Sequence, residues 1–267
     1  HAKNKGKFLG LIERGLKTDK GYATGFDHIL EMGVTHVQLM PMFDFASIDE
    51  SDLSREQYNW GYDPLNYNVP EGSYSLDPFH GEVRVKEFKQ MVEAMHNNGI
   101  SVVMDVVYNH MFDRQTSSFE NIMPNYYFKL GDNGEISNGS FCGNDVDSLR
   151  PMCRQYIVDS CKMWVKEYGF DGFRFDGVTS MLYYSHGLGE AFCGYGDYYN
   201  GHQDDEAIPY LTLANLLIHE VNPKAITIAE EVSGMPGLAA PFKDGGYGFD
   251  YRMAMNVPDY WIKTIKE

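Results

Sequence analysis

The sequence predicts an α/β fold of parallel strands separated by helices, with the C-terminal strand ends gathered on one face as in a barrel. Three observations carry this expectation. SVVMDVVYNH (101–110), FDGFRFD (170–176) and AITIAEE (225–231) read as strands. A helix-like stretch precedes each one. Each also carries an acidic residue at or near its end: Asp105, Asp176 and Glu230. Strands sharing one barrel face would bring these three carboxylates into one pocket. Two carboxylates facing each other across a sugar are what glycosidic bond chemistry needs.

The elements follow in order along the chain. Residues 21–33 read as a short helix stopped by Gly33, and Val34–Met40 as a buried strand stopped by Pro41. A long polar loop rich in Tyr, Asn, Gly and Pro is expected from Asp44 to about Phe79, the region 44–79. A loop of that length in a compact domain is usually functional. Residues 84–98 form a helix with Val85, Phe88, Met91, Val92 and Met95 on one face, and the strand 100–108 follows. An irregular excursion spans 109–149. Helix 150–168 places Cys153, Tyr156, Ile157, Cys161, Trp164 and Tyr168 at helical spacing ahead of strand 170–175. A Gly- and Tyr-rich stretch, 177–204, leads to helix 206–221 and strand 225–230. One more strand is expected within 248–253, and a helix begins at 258. About five strands result, whereas an eight-stranded barrel typically takes ~250 residues or more. The reading therefore leaves two forms open, an incomplete barrel or a smaller open sheet, in one domain spanning 1–267.

Composition narrows the functions. A net charge of −16 argues against nucleic acid or an anionic membrane surface as partner and is compatible with a neutral ligand such as a sugar. The chain holds 19 Tyr, 16 Phe and 3 Trp, a supply of rings suited to stacking on pyranose faces as well as to core packing. Cys142, Cys153, Cys161 and Cys193 form no C-x-x-C pair, so neither a zinc site nor a disulfide is expected, which favours a reducing, cytoplasmic setting. No apolar run is long enough to span a bilayer.

DVVYNH (105–110), GFRFD (172–176) and AEE (229–231), in that order and each at a strand end, resemble the first three conserved regions of the α-amylase superfamily, glycoside hydrolase family 13. The resemblance implies a TIM (β/α)8 barrel of the α-amylase type, present here from about strand two through strand six. It implies Asp176 as nucleophile and Glu230 as general acid/base. Asp105, Asn109 and His110 would shape the pocket, Tyr62 would lie beneath the sugar with Trp60 close by, and Arg174 would keep Asp176 ionised. Glu231 reads as a neighbour of the site rather than a participant. Residues 3–170, including KNKGKFLGL, VTHVQLMPMFDFASIDE and YNWGYDPLNYNVPEGSYS, are similar to type I pullulanases, a resemblance that leaves a secreted or surface setting open beside the cytoplasmic one. Residues 171–267, including FDGFRFDGVTSMLYYSHG and GGYGFDYRMAMNVPDYWIK, are similar to glycogen branching enzymes. An α-glucan polysaccharide is the substrate that both imply. The family's fourth region is absent from this sequence, which makes the isolated segment a candidate for an inactive, glucan-binding piece. No cofactor is required. Calcium, bound by many relatives, would draw on Asn109, Asp145 and Asp147.

Overall fold

The computed structural model describes residues 2–131, 133–139 and 141–267. Five parallel strands form the central sheet: β1 (His36–Leu39), β4 (Ser101–Val106), β7 (Gly172–Phe175), β8 (Ile226–Ala229) and β9 (Tyr251–Arg252). They lie side by side in that order. Helices α2 (Phe26–Glu31), α3 (Gly81–Asn97), α5 (Pro151–Tyr168) and α7 (Ala207–Val221) precede β1, β4, β7 and β8 respectively, so the unit helix–strand repeats as the sequence pattern anticipates. Short helices α1 (Phe8–Leu11), α4 (Ser118–Ile122) and α6 (Val178–Leu182) decorate the connections, and α8 (Asn256–Lys266) ends the chain. The result is the parallel central sheet of a partial α/β barrel.

Local chemistry explains the element ends. Proline opens α5 at its first turn, where its missing N–H costs nothing, and Gly169, with φ 75°, closes it in the left-handed conformation. The amphipathic faces of α3 and α5 meet in the core. Phe88, Met91 and Met95 of α3 are fully buried, as are Ile157, Cys161 and Trp164 of α5. The Trp164 ring lies 5.6 Å from Phe88 and 4.6 Å from Tyr168, and its Nε1 donates to the Tyr67 carbonyl at 3.0 Å. Burial pushes the Cys153 and Cys161 thiols up to about 12, so both are inert packing groups.

Two sequence expectations need correction. The stretch 44–79 is not a continuous loop. Within it and at its edge, β2 (Phe43–Phe45) pairs antiparallel with β3 (Pro64–Pro70), with register shifts on both sides of Asp44. Burial along β3 recurs at every third residue, Pro64, Tyr67 and Pro70, because the bulged pairing twists the ribbon. That pattern escapes a search for strict alternation. The second correction concerns β1, expected to be buried. His36 and Gln38 are exposed and Val37 and Leu39 half-buried, because β1 is an edge strand with a neighbour on one side only. The excursions are likewise more ordered than expected. Within 109–149, β5 (His110–Met111) pairs with β6 (Asn144–Asp145), and within 177–204 Tyr183 bridges Gln203.

Candidate active site

Strand register puts the candidate residues on one face. Asp105 of β4 stands opposite Arg174 of β7, and Arg174 opposite Ile228 of β8. Residues two apart on a strand share a face. Asp176 therefore points the same way as Arg174, and Glu230 the same way as Ile228. The backbone continues the ladder past the strand ends: Glu230 N donates to the Phe175 carbonyl at 3.0 Å, and Val178 N donates to the Glu230 carbonyl at 2.9 Å.

One guanidinium organises the cluster. Arg174 Nη1 donates to both Asp105 oxygens at 2.7 and 2.9 Å and to Asp176 Oδ1 at 2.9 Å. Its Nη2 lies 3.1 Å from Glu230 Oε2. Asp176 and Glu230 are thus held by the same planar fork. The Arg174 and Asp105 side chains are 8% and 2% exposed, while those of Asp176 and Glu230 are 18% and 22% exposed, so the last two are the carboxylates open to a ligand. Tyr62 Oη donates to Asp105 Oδ2 at 2.8 Å, which brings this ring into the cluster. His110 Nε2 donates to the Tyr62 carbonyl at 2.9 Å and fixes that residue's backbone. Burial lowers the His110 pKa, favouring the neutral ring. Asn109 Oδ1 lies 3.0 Å from His110 Nδ1. Trp60 is not drawn in to the same degree and stands 61% exposed.

The electrostatics differ from the expectation that Arg174 keeps Asp176 ionised. Burial pushes the Asp176 carboxyl up to about 7, Arg174 opposes this, and the charges of Glu230 and Asp105 add to it. Asp105 is raised by burial against the pull of Arg174 and Tyr62. Three carboxylates share one cation, so the cluster retains a proton that a single Asp–Arg pair would release. Burial disfavours the charge on Arg174, but Asp105, Glu230 and Asp176 together hold it well above its ordinary value.

Gly177 contributes in a way that residue type alone did not announce. Its N–H donates to Glu230 Oε2 at 2.8 Å. Its φ of 58° is left-handed, and a side chain there would collide with the Asn109 amide. The FDG sequence was the available signal.

The two carboxylates considered for calcium each have protein partners in this arrangement. Gly139 N donates to the Asp145 carboxylate at 2.8 Å, and His186 Nε2 faces it at 3.5 Å. Asp147 accepts from Leu149 N at 3.1 Å and from Arg150 Nε at 3.2 Å. Among the described residues, Asp44, Glu50 and Glu71 are the acidic group clustered closely enough to hold a metal ion. Arg84 already answers Glu50 there, at 2.8 Å. No described helix is long and apolar enough to cross a membrane.

The catalytic-domain model of alpha-amylase matches residues 18–138. A pullulanase of Paenibacillus barengoltzii, solved with maltohexaose and α-cyclodextrin, superposes with a TM-score of 0.74 at 42% identity, over 86% of this chain and 32% of its own. The chain is similar to enzymes of the α-amylase family. Bacillus subtilis pullulanase is 45% identical over 173 residues, covering 65% of this chain and 24% of the relative. The 1,4-alpha-glucan-branching enzyme of Felis catus is 44% identical over 272 aligned residues, 95% of this chain and 35% of the relative. The chain therefore spans 24% and 35% of the length of these two curated relatives.

Proposed function

We propose that this chain carries the catalytic carboxylates of a retaining α-glucan-active enzyme of the debranching type, one that hydrolyses α-1,6-glucosidic bonds in pullulan, starch or glycogen. The observation that carries the reading is the shared grip of Arg174 on Asp176 and Glu230 at the C-terminal ends of β7 and β8. A retaining mechanism takes carboxyl groups about 5–5.5 Å apart, one ionised and one protonated. A cluster of three carboxylates and one arginine can hold that single proton. In the first step, from the state with Asp176 ionised and the proton on Glu230, an Asp176 oxygen attacks the anomeric carbon, the glycosidic C–O bond breaks, and Glu230 gives its proton to the departing oxygen. In the second step water attacks the same carbon, gives a proton to Glu230, and releases Asp176 from its ester. Tyr62 would support the sugar ring, and Asp105 would meet its hydroxyl groups.

The several pullulanase structures that share the fold support hydrolysis. A specific observation favours a second reading, glucan branching: the branching-enzyme match runs over 95% of the chain. The two reactions share the covalent intermediate and differ in whether water or a glucan hydroxyl resolves it. Incubating the full-length protein with pullulan and with amylose separates them. Linear oligosaccharides released from pullulan support the debranching hydrolase, and new α-1,6 branch points in amylose support the transferase. Binding of amylopectin with no turnover by the full-length protein would overturn both in favour of a glucan-binding role.

A further inference from the structure

Glu231 follows Glu230 directly, and on an extended segment the two side chains face opposite ways. Glu230 faces the cluster around Arg174. Glu231 is fully buried, at 0% exposure, and it is densely bonded for a side chain with no place in the bond-breaking step. Backbone N–H groups of three successive positions point at its carboxylate: Ser233 at 2.6 Å, Gly234 at 3.0 Å and Met235 at 3.3 Å. The hydroxyl groups of Ser233 and Thr179 also donate to Oε1. Arg252 Nε lies 3.3 Å from Oε2 and donates to the Glu231 carbonyl at 3.1 Å. These donors come from α6, from the turn after β8 and from β9, the elements that surround the end of β8.

The same turn is fastened from the other side. Tyr198 Oη donates to the Ser233 carbonyl at 2.8 Å, and the Tyr183 hydroxyl lies 2.8 Å from Ser233 Oγ. Thr179 Oγ1 accepts from Val232 N at 2.8 Å while donating to Glu231, so α6 holds the chain on both sides of that residue. Gly177, one residue before α6, donates to Glu230 itself.

We propose that Glu231 is a positioning residue for Glu230. Its carboxylate locks the turn 231–235, α6 and Arg252 into one unit, and that unit sets where the Glu230 carboxyl stands relative to the glycosidic oxygen. The inference rests on the reading of Glu230 as the proton donor. It has a consequence that a purely structural role lacks. Loss of alignment at Glu230 harms the cleavage of bonds whose leaving group must be protonated. It spares a substrate whose leaving group departs without a proton.

The test is Glu231→Gln in the full-length protein, with kcat/KM measured on the α-glucan substrate and on α-maltosyl fluoride, whose fluoride leaves unprotonated. The expected result is a fall of about 10–100-fold on the glucan, within the range a general acid contributes, and a change of less than about threefold on the fluoride. Thr179→Val, a milder change that removes one bond to Glu231, is expected to show the same selectivity at about three- to tenfold, and it carries the test if Glu231→Gln does not fold. Equal losses on both substrates by an enzyme whose wild type is active overturn the inference and leave the proposed function standing. A wild-type protein that leaves glucan intact removes the proposed function itself, and the inference falls with it.

Discussion

Replacing Arg174 with Met tests the electrostatic logic of the cluster. The side chain is nearly buried and touches Asp105, Asp176 and Glu230 at hydrogen-bonding distance. At an effective dielectric of about 20, each close pair is worth about 4 kcal/mol before desolvation is subtracted. Removing one partner of a buried pair costs about 3–5 kcal/mol, because the remaining charge is left uncompensated. The cost must depend on pH. The Asp176 carboxyl lies above its ordinary value of 3.8, at about 7, so its contribution favours the fold fully below that ordinary value and is lost as pH rises through 7. At 1.36 kcal/mol per pKa unit, this penalty is about 4 kcal/mol at high pH in the wild type. Without Arg174 the carboxyl groups rise further, and the penalty grows. Urea denaturation at pH 5 and pH 8 measures it. Arg174→Met is expected to lose about 3–5 kcal/mol at pH 8 and clearly less at pH 5, where protons replace the missing cation. A loss that is the same at both pH values, or below about 1 kcal/mol, would refute the reasoning.

The remaining predictions concern single side chains and the open sheet. Asp176→Asn removes a charge that the fold holds at a cost, so it should stabilise the protein at pH 8 by at most about 4 kcal/mol, the lost Arg174 bond offsetting part, while abolishing glucan turnover; a destabilised variant at pH 8 would contradict this. Tyr62→Phe keeps the ring and deletes the hydroxyl bonded to Asp105, a hydrogen bond to a charged group worth about 1.5–3 kcal/mol, so kcat/KM on glucan should fall roughly ten- to hundredfold; an unchanged value would remove Tyr62 from the cluster. Trp164→Ala empties a fully buried site and frees the Tyr67 carbonyl, and calorimetry should record a loss of about 3–5 kcal/mol. The 267-residue chain alone, with β1 and β9 as open edges and the apolar residues of α8 exposed, is expected to release no appreciable sugar from pullulan; clear release would contradict the need for further strands.

What the sequence made legible was what the parallel ladder fixes locally. Asp105, Arg174, Asp176 and Glu230 sit at or beside strand ends, and period-two geometry carries each to the same face whatever lies elsewhere. The helices α3, α5 and α7 were readable because their apolar residues recur at 3.6-residue spacing. What stayed hidden depended on neighbours that no local pattern reports. The incomplete burial of Val37 and Leu39 follows from the sheet order rather than from their apolar character. The third-residue burial of β3 comes from a bulged pairing with β2. The raised pKa of Asp176 reflects first its burial and then the charges of Glu230 and Asp105 beside it, both set by the approach of three strands. Glu231 appeared to be a bystander because its partners Thr179 and Arg252 come from other elements of the chain.

The central claim is that Asp176 and Glu230 act as a nucleophile and proton-donor pair on one glucosyl unit. The most direct measurement is trapping of the glycosyl-enzyme. Full-length Glu230→Gln would be incubated with α-maltosyl fluoride, whose cleavage needs no proton donor, and the adduct located by peptide mass spectrometry. The account predicts a maltosyl ester on Asp176, accumulating because the residue that activates water is gone. An ester on Asp105 or on Glu231, or no adduct while the wild type hydrolyses the same fluoride, would contradict it.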